Sequence, residues 1–62
     1  MMPKVILLNE NGKTQSLRLA RIPFVGEYIF HDEQTLCAER VVLLSKLFGI
    51  KALVSVQIID TI

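Results

Sequence analysis

At 62 residues, with seven Lys and Arg against six Asp and Glu and a net charge of +1, the chain has room for one domain and no global field to attract nucleic acid or an anionic membrane. Its single cysteine, Cys37, excludes an intrachain disulfide, and its single histidine, His31, excludes a zinc site of the usual Cys/His type. Apolar residues make up 52% of a chain too short to bury them all. Some must face outward, so self-association, as a dimer, is the expected source of added stability.

Taken in chain order, the first feature is Asn11-Gly12 between two runs of strand character. Asn-Gly favours a tight hairpin because both central residues of a type I′ turn need positive φ. A two-residue loop would pair Glu10 with Lys13, Leu8 with Gln15, Ile6 with Leu17 and Lys4 with Leu19. Ile6, Leu8, Leu17 and Leu19 would then share one face. The second strand should end near Ile22, because Pro23 cannot donate to a ladder. Arg21 to Glu27 reads as a corner, with Gly26 supplying the backbone freedom. Glu27 to Phe30 then start a third strand, and Asp32, Glu33 and Gln34 make a polar turn.

Residues 35–48 carry two readings. Thr35 could cap a helix that Gly49 ends, with Cys37, Val41, Leu44 and Phe48 on one face. Against this, Glu39, Arg40, Ser45 and Lys46 are spread around the helical axis, and the Val41-Val42-Leu43-Leu44 run suits a pleated surface. Strand is the preferred reading. The last segment alternates Ala52, Val54, Val56 and Ile58 against Lys51, Ser55 and Gln57, which predicts a strand. Leu53 and Ile59 interrupt its polar face.

The expected fold is therefore a single mostly β domain over 1–62, a small five-stranded barrel or bent meander, with α+β as the alternative if 35–48 is helical. The expected core is Val5, Leu7, Leu17, Leu19, Ile22, Ile29, Val41, Leu43, Val54, Val56 and Ile58. No apolar run reaches the roughly 18 residues of a membrane span. The lone thiol and the lack of a leader-like start point to the cytoplasm.

The corner Ile22-Pro23-Phe24-Val25-Gly26-Glu27-Tyr28-Ile29, followed by Glu39-Arg40-Val41-Val42 and a final alternating strand, is similar to a pattern in many short bacterial and phage proteins. It also resembles the Pro-x-Val-Gly-Glu/Asp-x-Ile turn of SH3-like small barrels. The resemblance covers about half the chain and implies an SH3-like barrel without implying an activity. The chain departs from that pattern at Leu36 and Cys37, where an aromatic often precedes the Val-rich strand.

The chemistry-bearing residues form no constellation. Cys37 has no spacing that places it near His31, and consecutive His31, Asp32 and Glu33 point alternately in an extended chain and cannot converge on one ion. Gly12, Gly26 and Gly49 are isolated and make no phosphate cradle. The reading is a non-enzymatic interaction or assembly module, with no cofactor, metal or small-molecule substrate, that self-associates as a homodimer. Its interface is expected on the C-terminal strand at Leu53, Val54 and Ile59, on the premise that a terminal strand lies at a sheet edge. The alternative is a weak, sequence-tolerant binder of single-stranded nucleic acid using Arg18, Arg21, Phe24, Tyr28, Phe30 and Arg40, combining aromatic stacking with basic residues.

Overall fold

The computed structural model describes residues 2–45, 49 and 51–61. Among these, five strands form one curled half-barrel sheet, and no helix occurs. The strands are β1 (Lys4–Leu8), β2 (Thr14–Arg18), β3 (Tyr28–His31), β4 (Gln34–Ser45) and β5 (Lys51–Thr61), in the spatial order β2-β1-β5-β4-β3. The mostly β, five-stranded expectation holds. The helical alternative does not, because Gln34–Ser45 is a strand; its remaining stretch, 46–48, lies outside the described residues.

The first hairpin forms, but with a different loop. Asn9 N donates to Lys13 O at 3.0 Å and Gly12 N to Asn9 O at 3.0 Å, so Glu10, Asn11 and Gly12 make a three-residue connection with Gly12 at φ 82°. This is a tight turn followed by a left-handed glycine bulge. Asn9 selects it, since its Oδ1 accepts from Asn11 N at 2.9 Å and from Lys13 N at 3.1 Å. The extra loop residue shifts the register by one: Val5 faces Leu17, Leu7 faces Gln15, and Ile6 faces Ser16. The expected pairing of Ile6 with Leu17 is therefore corrected. Leu17 joins Val5 and Leu7 on the inner face, while Ile6 and Leu8 turn outward.

The expected strand at the C-terminus is present, but its position is not at an edge. β5 is the central strand, antiparallel to β4 on one side and parallel to β1 on the other, where Val5 faces Ala52 and Leu7 faces Val54. The premise that put the interface there is corrected. Val54, at 0% exposed, is core and cannot meet a partner. On the outer face of this strand Leu53 is half-buried between Ile6 and Val42, whereas Ile59 is 51% exposed.

Val5, Leu7, Ile29, Leu36, Ala38, Val54 and Val56 form the buried cluster, with Leu17, Leu19, Val41 and Ile58 packed around it. Leu36, Ala38 and Ala52 replace the expected Leu43, which is exposed, and Ile22, which is half-buried. Register shifts in the β4/β5 ladder between Thr35 and Leu36, Ala38 and Arg40, and Leu43 and Ser45 mark irregularities that bend the long hairpin. Pairing between β3 and β4 begins at His31/Gln34 and runs to Tyr28/Cys37, with Ala38 taking the corner residues. Beyond Ala38, β4 has no neighbour on that side among the described residues, and Val42, Leu43 and Leu44 are exposed.

Candidate interaction surface

The exposed apolar side chains that strand burial leaves over gather at β3 and the corner before it. Phe24, Val25, Tyr28 and Phe30 are each 66–69% exposed, the highest values among the described large apolar residues. The corner is a β-turn in which Glu27 N donates to Phe24 O at 3.0 Å. Gly26, its third residue, has φ 90°, the position where a type II turn calls for glycine. The turn is locked from outside by Glu27. One carboxylate oxygen accepts from Arg21 Nη1 and from Phe24 N, both at 2.8 Å, and the other lies 2.5 Å from Arg21 Nη2. The Arg21 hydrogen bonds first, and the Phe24 amide second, pull the Glu27 carboxyl down to about 2. The same guanidinium lies 5.0 Å from the centre of the Phe24 ring.

β3 leaves this corner as an edge strand. Ala38 N donates to Glu27 O at 2.9 Å and Gly26 N to Ala38 O at 2.7 Å, so the Glu27 carbonyl points at β4. Backbone direction alternates along a strand, so Ile29 and His31 also point at β4, and the N–H and C=O groups of Tyr28 and Phe30 point outward. Ile29 sends its side chain into the core, whereas Tyr28 and Phe30 send theirs to the outer face. Among the described residues, the two with exposed rings thus also present backbone groups that no neighbouring strand takes up. No Lys or Pro lies within Tyr28–His31 to block that edge.

One groove flanks the strand, and a second, without β3 residues, lies elsewhere on the sheet. The first, of about 310 Å³, runs along the corner and is lined by Leu19, Ala20, Arg21, Pro23, Glu27, Tyr28, Ile29 and Phe30. The other, of about 280 Å³, has a floor of Leu7, Leu36, Val56 and Ile58 and a rim of Asn9, Lys13, Thr14, Gln15 and Gln34. It occupies the open side of the half-barrel, where Gln15 Nε2 donates to Asp32 Oδ2 at 2.7 Å across from the β3–β4 turn. Asp32 and Glu33 in that turn have φ of 51° and 60°, a left-handed pair with no glycine. His31 Nε2 lies 3.7 Å from Asp32 Oδ2, beyond hydrogen-bond distance.

Of the six residues assigned to a nucleic-acid or partner surface, the fold brings four together: Arg21, Phe24, Tyr28 and Phe30. Arg18 lies on β2 and donates to Met2 O at 3.0 Å, and Arg40 lies on β4 opposite Ser55. Of the three assigned to an oligomer interface, Val54 is buried and Leu53 is half-buried between Ile6 and Val42. Ile59 is 51% exposed on the outer face, two strands from Phe30. Sequence reasoning missed Val25 and the Val42 to Leu44 run as surface residues. The signal for Val25 was its place inside the corner, where a turn leaves a side chain little to pack against. Among the described residues, no group of three or more His, Cys, Asp or Glu is arranged to hold a metal ion, and no helix is long and apolar enough to cross a membrane.

Comparison with known proteins gives no match: no family model fits the chain, and neither a curated protein nor a solved structure resembles it.

Proposed function

We propose that the protein is a non-enzymatic interaction module that works by self-association, with the corner and edge around β3 as its contact surface. The observation that carries this reading is the clustering of Phe24, Val25, Tyr28 and Phe30, all about two-thirds exposed, on and beside an edge strand that carries no Lys or Pro. Aromatic side chains are enriched at the cores of protein contacts, and an edge without Lys or Pro is open to recruiting another strand. A cytoplasmic setting suits the unpaired Cys37.

The binding of single-stranded nucleic acid is less well supported. It needs cationic groups beside the rings, and the Arg21 guanidinium beside Phe24 is neutralised by both oxygens of Glu27. Arg18 and Arg40 are on other strands. Sedimentation velocity over a micromolar concentration series tests the proposal: a mass that rises to that of a dimer supports it, and a monomer throughout contradicts it.

A further inference from the structure

We infer that two copies of the chain join through antiparallel pairing of their β3 strands, with Ile29 of each on the two-fold axis, so that the sheet continues from one protomer into the other. The inference rests on the self-association reading and adds the partner, the strand and the register.

The register follows from the outward backbone groups. Only residues whose N–H and C=O point away from β4 can form a narrow hydrogen-bonded pair with another chain, and within β3 these are Tyr28 and Phe30. Placing Tyr28 of one copy opposite Phe30 of the other satisfies both residues in both protomers, which gives four hydrogen bonds. A register centred on Tyr28 or on Phe30 pairs only one of them with its counterpart. The central arrangement also sets each Tyr28 ring beside a Phe30 ring on the same face, a favourable cross-strand pair.

The charges agree with this arrangement. Across the two-fold, Glu27 falls opposite His31, and Gly26 falls opposite Asp32, so no like charges meet within the strands. The exposed acidic turn of Asp32 and Glu33 is carried to the corner where Arg21 and Glu27 neutralise each other, so it meets no net like charge there.

The area is of the right order. Three aromatic side chains at roughly 150–250 Å² each, about two-thirds exposed, offer roughly 300–500 Å² per protomer. Val25 and the two edge backbones extend this toward the roughly 800 Å² per partner of a standard interface. Of the competing edges, β4 beyond Ala38 presents Val42, Leu43 and Leu44 at 42–49% exposed beside the charged Glu39 and Arg40, with no aromatic ring, and β2 presents the polar run Thr14–Arg18.

Disulfide trapping tests the register. In a narrow antiparallel pair the Cα atoms are about 5.5 Å apart, within disulfide reach, whereas residues two positions out of register are not. Cys37 is replaced by Ser, because it lies across from Tyr28 within the chain. In that background Tyr28→Cys/Phe30→Cys is expected to oxidise to a covalent dimer, while each single cysteine variant stays at least tenfold less cross-linked. Because the cysteines remove two rings, Phe30→Lys is measured beside them and is expected to raise the dimer dissociation constant at least tenfold with an unchanged circular dichroism spectrum. A wild type that dimerises but is broken by Leu44→Lys and not by Phe30→Lys refutes the β3 contact and leaves self-association standing. A wild type that is monomeric at all concentrations refutes both.

Discussion

Arg21 and Glu27, six residues apart, close the corner of the chain as a two-pronged ion pair, at 2.8 and 2.5 Å, while the same carboxylate accepts the Phe24 amide at 2.8 Å. Three groups are thereby held by one side chain just where the chain turns into the edge strand. The pair lies at the surface, so its effect is on the shape of the corner more than on global stability. That shape sets the angle at which Phe24 and Tyr28 are displayed.

The Glu27 carboxyl, ordinarily near 4.5, is drawn down to about 2 in the folded chain. A group with a depressed folded value contributes stability that is present above its unfolded value and lost as pH falls toward the folded one. The melting temperature of the wild type should therefore fall between about pH 4.5 and pH 2, and Glu27→Gln should flatten that part of the curve. An acid limb of equal steepness in the two proteins would show that other carboxylates cause it.

Gly26 has φ 90°, and a methyl group built on it would meet nothing within 4 Å. The cost of Gly26→Ala is then purely conformational, about 1 kcal/mol, and Gly26→Asn should cost less because Asn tolerates the left-handed region. Denaturant unfolding of the two variants checks the ranking. Equal losses would mean that the turn relaxes to another type.

Glu33 sits at φ 60° in the second position of the two-residue turn between β3 and β4. Such a turn favours glycine at that place. Glu33→Gly should be neutral or stabilising by up to about 1 kcal/mol, against the usual loss on introducing glycine. A drop in the denaturation midpoint would contradict the assigned backbone.

Val54 is fully buried between β1 and β4, and Leu53 beside it is half-buried on the opposite face. Val54→Ala removes two buried carbon groups and should cost roughly 2 kcal/mol once the cavity is included. It should leave the dimer dissociation constant unchanged when measured well below the melting temperature. Weakened dimerisation by a variant that stays folded would restore the C-terminal strand as an interface.

The elements of this fold were legible in the chain wherever the signal is local. Period-two alternation over Ala52 to Ile58, the Asn11-Gly12 turn and the Pro23 to Gly26 corner each lie within a few residues, and each is present. What depends on distant partners was not legible. The loop of the first hairpin turns on whether the Asn9 side chain caps it, and the one-residue change of loop put Leu17 opposite Val5 instead of Ile6. The central place of β5 comes from a parallel ladder between segments nearly fifty residues apart in the sequence, which no short pattern encodes. The candidate surface was half legible: Arg21, Phe24, Tyr28 and Phe30 were named singly, and only the edge position of β3 unites them.

Association of the chain with itself through the β3 edge is decided by sedimentation velocity of wild type beside Phe30→Lys at micromolar concentration. Wild type should move from monomer to dimer as concentration rises, and a folded Phe30→Lys variant should remain a monomer over the same range. A wild type that stays monomeric, or a Phe30→Lys variant that dimerises as tightly as wild type, would contradict it.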